Sequence, residues 1–397
     1  MGRLLWLAAA LATTGLIGCG NVASPVLLDA FHDPLDSVTV TGKSALPWSL
    51  STKLIATANF HSGHTIDVSN VATWSSESAA TATVDADGNV EAVDAGMTMV
   101  HANYEGQDGV LELTVTMPTV AVSSFNNKGI DFFPANATGN IAPLRSIRGA
   151  MMTTLGSPRG LALNGNELFV ADQGNAAIDV FPADGSGDIA PLRQIKGALT
   201  TLNTPSHVAV TDTDIYVADF SNKVAVFPKT ATGNVAPSRT ISITGLTQNN
   251  GIAVSQDTLF VLDISGNAID AVPLTSNGVT TPRTIVGAAT LISEPNGGFY
   301  ANDELFVSNA TGTIIVFDPT ATGNVPPIRR IGGAMSMLGF PDGMGLLGTH
   351  LYSANNSTSS IQVHLLSSSG DVAPTNSISG AMTLMSGSLG LVIIGLD

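Results

Sequence analysis

The chain has 397 residues, of which only 12% are charged, and its formal net charge is −16. Because a surface this acidic repels phosphate backbones, we do not expect nucleic acid as a partner. The 41 glycines and 20 prolines, together with the many Val, Ile and Thr residues, favour short strands and turns over helices. The sequence therefore predicts an all-β protein, and its single cysteine, Cys19, rules out an intrachain disulfide.

Residues 1–18 have the pattern of a secretory leader. Arg3 is followed by an apolar run from Leu4 to Ile17, which is too short for a permanent membrane span but fits the core of a signal peptide. The run ends in Leu16-Ile17-Gly18-Cys19, which resembles a bacterial lipobox. The resemblance implies cleavage before Cys19, transfer of a diacylglyceryl group to its sulfur and anchoring at a membrane. Gly20 in place of Asp favours the outer membrane, and residues 19–35 are predicted to form a tether.

Residues 36–117 alternate between apolar and polar side chains, as half-buried strands do. The Asp87-Gly88 pair predicts a hairpin turn, and Trp74 is expected to fill the space between two sheets. The stretches 72–76, 82–90 and 95–98 resemble the group 2 bacterial immunoglobulin-like (BIG2) domain. That resemblance implies an Ig-like β-sandwich that serves as a spacer or adhesion module and has no catalytic residues.

A repeat occupies residues 118–397. Its onsets lie 45 to 48 residues apart, which is typical of propeller blades, at Ile130, Ile178, Val224, Ile269, Ile314 and Ile361. Each copy contains four short strands, so the sequence predicts a six-bladed β-propeller. The first copy begins with its second strand, at 119–122, and the missing first strand reappears at 389–394. We therefore expect the C-terminal strand to close the ring, which would remove free sheet edges.

Three kinds of side chain recur at fixed places in the repeat. Aromatic residues of the second strand are expected to pack between blades, at Phe169, Tyr216, Phe260, Phe306 and Tyr352. Polar residues that end the same strand are expected to accept backbone N–H bonds, at Asp172, Asp219, Asp263, Asn309 and Asn355. Arginines of the outer strand are interpreted as solvated charges that discourage strand addition, at Arg145, Arg193, Arg239, Arg283 and Arg329.

The repeats resemble NHL-type propellers and the wider group that includes senescence-marker-protein-30-like (SMP-30-like) lactonases. In six-bladed propellers the innermost strand begins at one mouth of the channel, so the residues just before these strands are expected to form a ring that binds a small ligand or a divalent cation. Here the ring positions are Arg159, Ser206, Asn250, Asn296, Asp342 and Gly387. The resemblance implies that Asn296 and Asp342 would bind a divalent cation and that Asn250 would contact substrate. Arg159 stands where the family has a metal-binding glutamate, and its fixed charge would repel a cation.

The sequence leaves three functions open. We favour a non-enzymatic lipoprotein of the bacterial cell envelope, without a cofactor, whose propeller binds a protein, a glycan or a small ligand. The first alternative is a metal-dependent hydrolase of the SMP-30/gluconolactonase type, with a cation such as calcium at the ring. The second alternative is a structural subunit of an envelope complex. Neither the oligomeric state nor the side of the outer membrane is predicted.

Overall fold

The computed structural model describes residues 33–395. The predicted leader, Cys19 and most of the tether lie outside the described residues. In the described range no helix is long and apolar enough to cross a membrane. Apart from four single-turn 3-10 helices, the regular structure of this range is β-strand, so the prediction of an all-β fold is confirmed. The 3-10 helices span Gln173–Asn175, Ala198–Thr200, Ala288–Thr290 and Ala381–Thr383.

Ten strands precede the repeats and enclose one apolar core. They are β1 (Leu35–Thr41), β2 (Ala45–Pro47), β3 (Ser51–Lys53), β4 (Ile55–Phe60), β5 (Thr65–Asp67), β6 (Thr73–Ser76), β7 (Ala82–Val84), β8 (Asn89–Ala92), β9 (Gly96–Tyr104) and β10 (Gln107–Thr116). They form three sheets, ordered β1-β4-β5, β2-β10-β9-β6 and β3-β8-β7. As predicted, Trp74 is buried between them, and its Nε1 donates to the carbonyl of Ser69 at 2.8 Å. The expected hairpin at Asp87-Gly88 joins β7 and β8.

The remaining strands form six sheets, which we call blades 1 to 6. Blade 1 begins with β11 (Thr119–Ser124), β12 (Gly129–Pro134) and β13 (Arg145–Ile147). Blade 2 contains β14 (Pro158–Asn164), β15 (Glu167–Asp172), β16 (Ala177–Pro182) and β17 (Arg193–Lys196). Blade 3 contains β18 (His207–Val210), β19 (Asp214–Ala218), β20 (Lys223–Pro228) and β21 (Arg239–Ile243).

Blades 4 to 6 repeat this pattern. Blade 4 contains β22 (Asn249–Val254), β23 (Thr258–Asp263), β24 (Ala268–Pro273) and β26 (Arg283–Val286), while β25 (Gly278–Thr280) pairs in parallel with β21 of blade 3. Blade 5 contains β27 (Pro295–Ala301), β28 (Glu304–Asn309), β29 (Thr313–Phe317) and β30 (Arg329–Gly332). Blade 6 contains β31 (Pro341–Leu347), β32 (His350–Asn355), β33 (Ser360–Leu365) and β34 (Asn376–Ser379), and β35 (Ser388–Ile394) follows.

The last strand completes the first blade, as the sequence predicted. β35 pairs antiparallel with β11, with Val120 opposite Ile393, so blade 1 has the order β13-β12-β11-β35. The innermost strands β14, β18, β22, β27, β31 and β35 contact one another in that order, and β35 also contacts β14. The six blades therefore form a closed ring around an axis, which is the architecture of a β-propeller.

Apolar side chains fill each of the six spaces between neighbouring blades, and there is one buried cluster in each. The five second-strand aromatics belong to these clusters, which confirms the predicted packing role. The Asp and Asn residues that end the second strands accept backbone N–H bonds, as expected. For example, Asp172 accepts from Ser157 at 2.7 Å and Asn355 from Gly339 at 3.0 Å.

The interpretation of the outer-strand arginines as solvated edge charges is wrong. Four of the five are partly buried and donate to backbone carbonyls of the next blade, namely Arg145, Arg193, Arg239 and Arg283. Arg329 instead pairs with Glu304 of its own blade. The arginines of blades 1, 2, 3 and 5 also lie over aromatic rings of their own blades. These side chains therefore connect strands and blades.

Candidate functional site on the propeller axis

The six innermost strands approach one another closely at one level, which is the third residue of five of them and the first residue of β18. Five of these positions are glycine, and an added Cβ would collide with the next innermost strand. At Gly251 and Gly297 it would lie 2.0 and 2.1 Å from the carbonyl oxygens of Asn296 and Asp342. We call this level the glycine collar, and it contains Gly160, Gly251, Gly297, Gly343 and Gly390. At these five positions only glycine lets the neighbouring strands come so close together. This requirement explains why a polar residue followed by Gly recurs in the repeat.

His207 occupies the collar position of blade 3, where the other blades have glycine. Its Nδ1 lies 2.7 Å from the carbonyl oxygen of Asn250, and its Nε2 lies 2.7 Å from Oδ1 of Asp342. The second contact is close but is not aligned as a hydrogen bond. The ring therefore reaches across the axis from blade 3 to blade 6 and contacts groups of blades 4 and 6.

The predicted ring residues form one hydrogen-bonded cluster beside the collar. Asn250 Nδ2 donates to Asn296 Oδ1 at 2.9 Å, and Ser206 Oγ donates to the carbonyl of Asn250 at 2.6 Å. Arg159 Nη2 lies 3.4 Å from both Asn250 Oδ1 and Asp342 Oδ2. The cluster thus contains all five side chains that the sequence singled out, and each comes from a different blade.

Serines of the second strands hold the backbone at this level. Ser123 Oγ donates to the carbonyl of Arg159 at 2.6 Å and accepts from the amide of Gly390 at 2.7 Å. Ser308 Oγ donates to the carbonyl of Asp342 at 3.1 Å. Because these hydroxyls are buried, they fix the positions of the strands from which Arg159 and Asp342 project.

Asp342 is fully buried between the guanidinium of Arg159 and the imidazole of His207. Burial raises the pKa of this carboxyl, but the neighbouring His207 and Arg159 side chains outweigh burial, and the pKa lies below its usual value. Arg159 is held from its other side by Phe220, whose ring centroid lies 4.9 Å from the guanidinium carbon. Asp342 is therefore an ionised carboxylate that is already neutralised within the protein.

The expected open funnel at this ring is not present among the described residues. Arg159, Ser206, Asn250, Asn296 and Asp342 are at most 8% exposed. Gly387, the sixth expected member, precedes the ring level by two residues. Gly390 belongs to the collar, so Leu389 occupies the ring position of blade 1, where it contributes an apolar side chain.

The predicted metal ligands Asn296 and Asp342 are engaged by other groups. Asn296 Oδ1 accepts from Asn250, and Asp342 faces Arg159 and His207. In the part of the chain that the structure describes, no three His, Cys, Asp or Glu side chains are grouped so as to hold a metal ion. The residues present therefore do not fit the calcium-type site that the lactonase resemblance implies, because Arg159 already pairs with its central carboxylate and His207 contacts it as well.

The open cavity lies on the other side of the collar. It has a volume of about 410 Å³ and is lined by the innermost strands of all six blades. Its deep end is formed by His207 and by collar glycines, and its sides are apolar. His207 was not among the candidate residues selected from the sequence. The signal that could have revealed it is the lone histidine in a column of glycines at that position of the repeat.

Comparison with known proteins supports the fold alone. No known protein-family profile matches the chain, and no curated protein is similar to it in sequence. A chain in the crystal structure of a nidogen/laminin complex is similar in structure, with a TM-score of 0.53 and 16% identity over 70% of this chain and 99% of that chain. A functionally unknown protein from Desulfotomaculum acetoxidans gives a TM-score of 0.48 and 14% identity over 70% and 99% of the two chains. The resemblances to BIG2, NHL-type and lactonase-like proteins therefore stay predictions.

Proposed function

We propose that this protein is a non-enzymatic lipoprotein of the bacterial cell envelope. Its lipid anchor would be Cys19, its first domain a BIG2-like spacer, and its NHL-like propeller the part that binds a ligand or partner. The lipobox-like sequence after an apolar run supports the anchor, and the Gly that follows Cys19 favours the outer membrane. The negative net charge of the chain is consistent with a protein that does not bind nucleic acid.

The observation that carries the non-enzymatic assignment is the environment of Asp342. A metal-dependent hydrolase would need this carboxylate to be open to a cation and to substrate. Instead Arg159 pairs with Asp342, His207 contacts its other oxygen, and the whole cluster is at most 8% exposed. Its side chains come from five blades and bond to one another at the axis, so we assign the cluster a structural role and propose that ligand binds elsewhere on the propeller.

The metal dependence of thermal stability tests this proposal against the hydrolase. We expect that Ca²⁺, Mn²⁺ and Zn²⁺ leave the Tm of the full mature chain unchanged. We also expect that Asp342→Asn lowers Tm equally with and without cations, because it leaves the buried guanidinium of Arg159 without its carboxylate partner. Asp212→Asn, which removes a carboxylate from an exposed turn, is the matched control. A cation that stabilises the wild type and the control but not Asp342→Asn would favour the hydrolase and overturn the proposal.

The anchor is tested separately in bacteria. Labelled fatty acid should be incorporated into the wild-type chain and not into Cys19→Ser, and only the wild type should enter the detergent phase on partitioning. An unlabelled wild-type chain would contradict the lipoprotein assignment.

A further inference from the structure

We infer that the axial cavity binds a small, neutral and mainly apolar molecule, which enters from the side of the propeller opposite the buried polar cluster. This inference rests on the proposed binding function and names the chemistry of the ligand. The cavity of about 410 Å³ falls within the range of roughly 300–1,000 Å³ that is usual for small-molecule sites. Because the cavity lies on the propeller axis and all six innermost strands surround it, the six blades share one site.

The walls of the cavity favour an uncharged ligand. None of its lining residues is Asp, Glu, Lys or Arg. Three residues beyond the collar level, each blade contributes an apolar or aromatic side chain, namely Leu163, Val210, Val254, Tyr300, Leu346 and Ile393. A charged molecule would lose its hydration here without gaining a counter-ion, which is costly in a low-dielectric site.

The one basic group at the deep end is not free to bind an anion. Both ring nitrogens of His207 already face oxygen atoms, those of Asn250 and Asp342. Around the entrance, exposed carboxylates lie in the turns between first and second strands, at Asp212, Asp257 and Asp303. These charges repel anions before they reach the cavity, so the cavity discriminates against carboxylate, phosphate and sulfonate ligands.

The backbone of the innermost strands can still form hydrogen bonds with a ligand. Each innermost strand is the edge strand of its blade, since it pairs with a second strand on one side only. Backbone N–H and C=O groups that face the axis therefore lack a sheet partner and can bond to a ligand. This arrangement suits a molecule that combines apolar surface with a few neutral hydrogen-bonding groups.

A pair of fluorescent probes tests the inference on the full mature chain. N-phenylnaphthylamine is neutral and apolar, whereas anilinonaphthalene sulfonate has the same skeleton with a fixed negative charge. We expect saturable one-to-one binding of the neutral dye, and affinity for the sulfonate that is weaker by roughly tenfold or more. Equal affinity for the two dyes, or no saturable binding of the neutral dye, would overturn the inference.

Two substitutions locate the bound dye. Val254→Arg and Leu346→Arg place a charge on the cavity wall from blades 4 and 6, and each should weaken binding of the neutral dye at least tenfold. Val279→Arg is the matched control, because Val279 is 83% exposed and lies on β25 outside the cavity. Undiminished binding in a cavity variant that keeps the wild-type circular dichroism and Tm would contradict the assignment. If one of the two cavity variants fails to fold, dye binding by the other cavity variant decides whether the dye lies in the cavity. Failure of all dye tests leaves the fatty-acid and metal tests of the proposed function intact.

Discussion

Asp179 is a buried carboxyl whose surroundings oppose its charged form. It lies on the third strand of blade 2, is 1% exposed and accepts one hydrogen bond, from Gln194 Nε2 at 2.6 Å. Burial raises the pKa of Asp179 to about 7, and the negative charge of Asp172 adds to this effect, although the bond from Gln194 opposes it. Above neutral pH two like charges therefore lie close together inside the blade.

This raised pKa makes stability depend on pH with a definite sign. An acid whose pKa is higher in the folded state binds its proton more tightly when folded, so stability falls as pH rises from about 4 to about 7. Asp179→Asn cannot ionise and can still accept from Gln194. We therefore expect the variant to be more stable than the wild type at pH 8, on the order of 2 kcal/mol, with a much smaller gain at pH 4.

Chemical unfolding at the two pH values measures this difference. Asp212→Asn removes the same charge from an exposed turn and should change stability little at either pH. If Asp179→Asn destabilised the protein at pH 8, the carboxylate would be needed in its charged form and the explanation would be wrong.

At the scale of elements, each blade is connected to the next along its outer edge. In the loop between the third and fourth strands of a blade, a glycine forms a β-bridge with the outer strand of the previous blade, as between Gly187 and Ile147 or Gly323 and Ile285. An Asn or Asp follows this glycine in the sequence. The following side chain then accepts amides from the loop after that outer strand. Asn324 Oδ1, for example, accepts from Ala289 at 2.7 Å. These Gly-Asn and Gly-Asp pairs therefore connect neighbouring blades, and their glycines adopt a positive φ.

Arg283 provides a test of the revised role of the outer-strand arginines. It donates to the carbonyls of Ala321 and Pro319 in blade 5, and burial lowers the pKa of its guanidinium. The planar guanidinium of Arg283 donates to both carbonyls at once, through two of its nitrogens. A lysine has a single ammonium group and cannot reproduce this geometry. We expect Arg283→Lys to lower the free energy of unfolding by about 1–3 kcal/mol.

Arg330→Lys is the control for this substitution. Arg330 is the exposed neighbour of Arg329 and has only a long contact of 3.4 Å to the carbonyl of Gly332. Its replacement should be nearly neutral in urea unfolding. If the two variants were equally stable, the outer-strand arginines would be the solvated edge charges that the sequence first suggested.

Local repetition explains how much of this fold could be predicted from the sequence. The blade period, the strand order within a blade and the split repeat that closes the ring are all visible in one dimension, because each blade is built from consecutive residues. The role of Arg283, the place of Leu389 in the ring and the reach of His207 to Asp342 depend on contacts between blades. Such contacts join residues that are far apart in the chain, and a single sequence does not show which residues they join.

At the scale of the molecule, the first domain packs on blade 6 beside the open end of the axial cavity. Only Met117 and Pro118 separate β10 from β11. The Trp48 ring lies 5.2 Å from that of His350, and Ser49 Oγ lies 3.0 Å from His350 Nδ1. Trp48 also contacts the apolar cluster that contains the cavity residue Ile393. The first domain is therefore held against the face through which we infer that ligand enters.

Gly348 and Gly165 offer a matched pair for testing this contact. Both lie in the turn between the first two strands of a blade, with φ of +55° and +56°. An added Cβ at Gly348 would lie 2.3 Å from the carbonyl oxygen of Ser49, whereas at Gly165 it would meet nothing within 4 Å. Gly→Ala at either site should cost about 1–2 kcal/mol for the left-handed conformation. We expect only Gly348→Ala to speed hydrogen exchange at residues 46–50, because only there must the first domain move away. Equal exchange at 46–50 in the two variants would mean that this contact does not hold the domain in place.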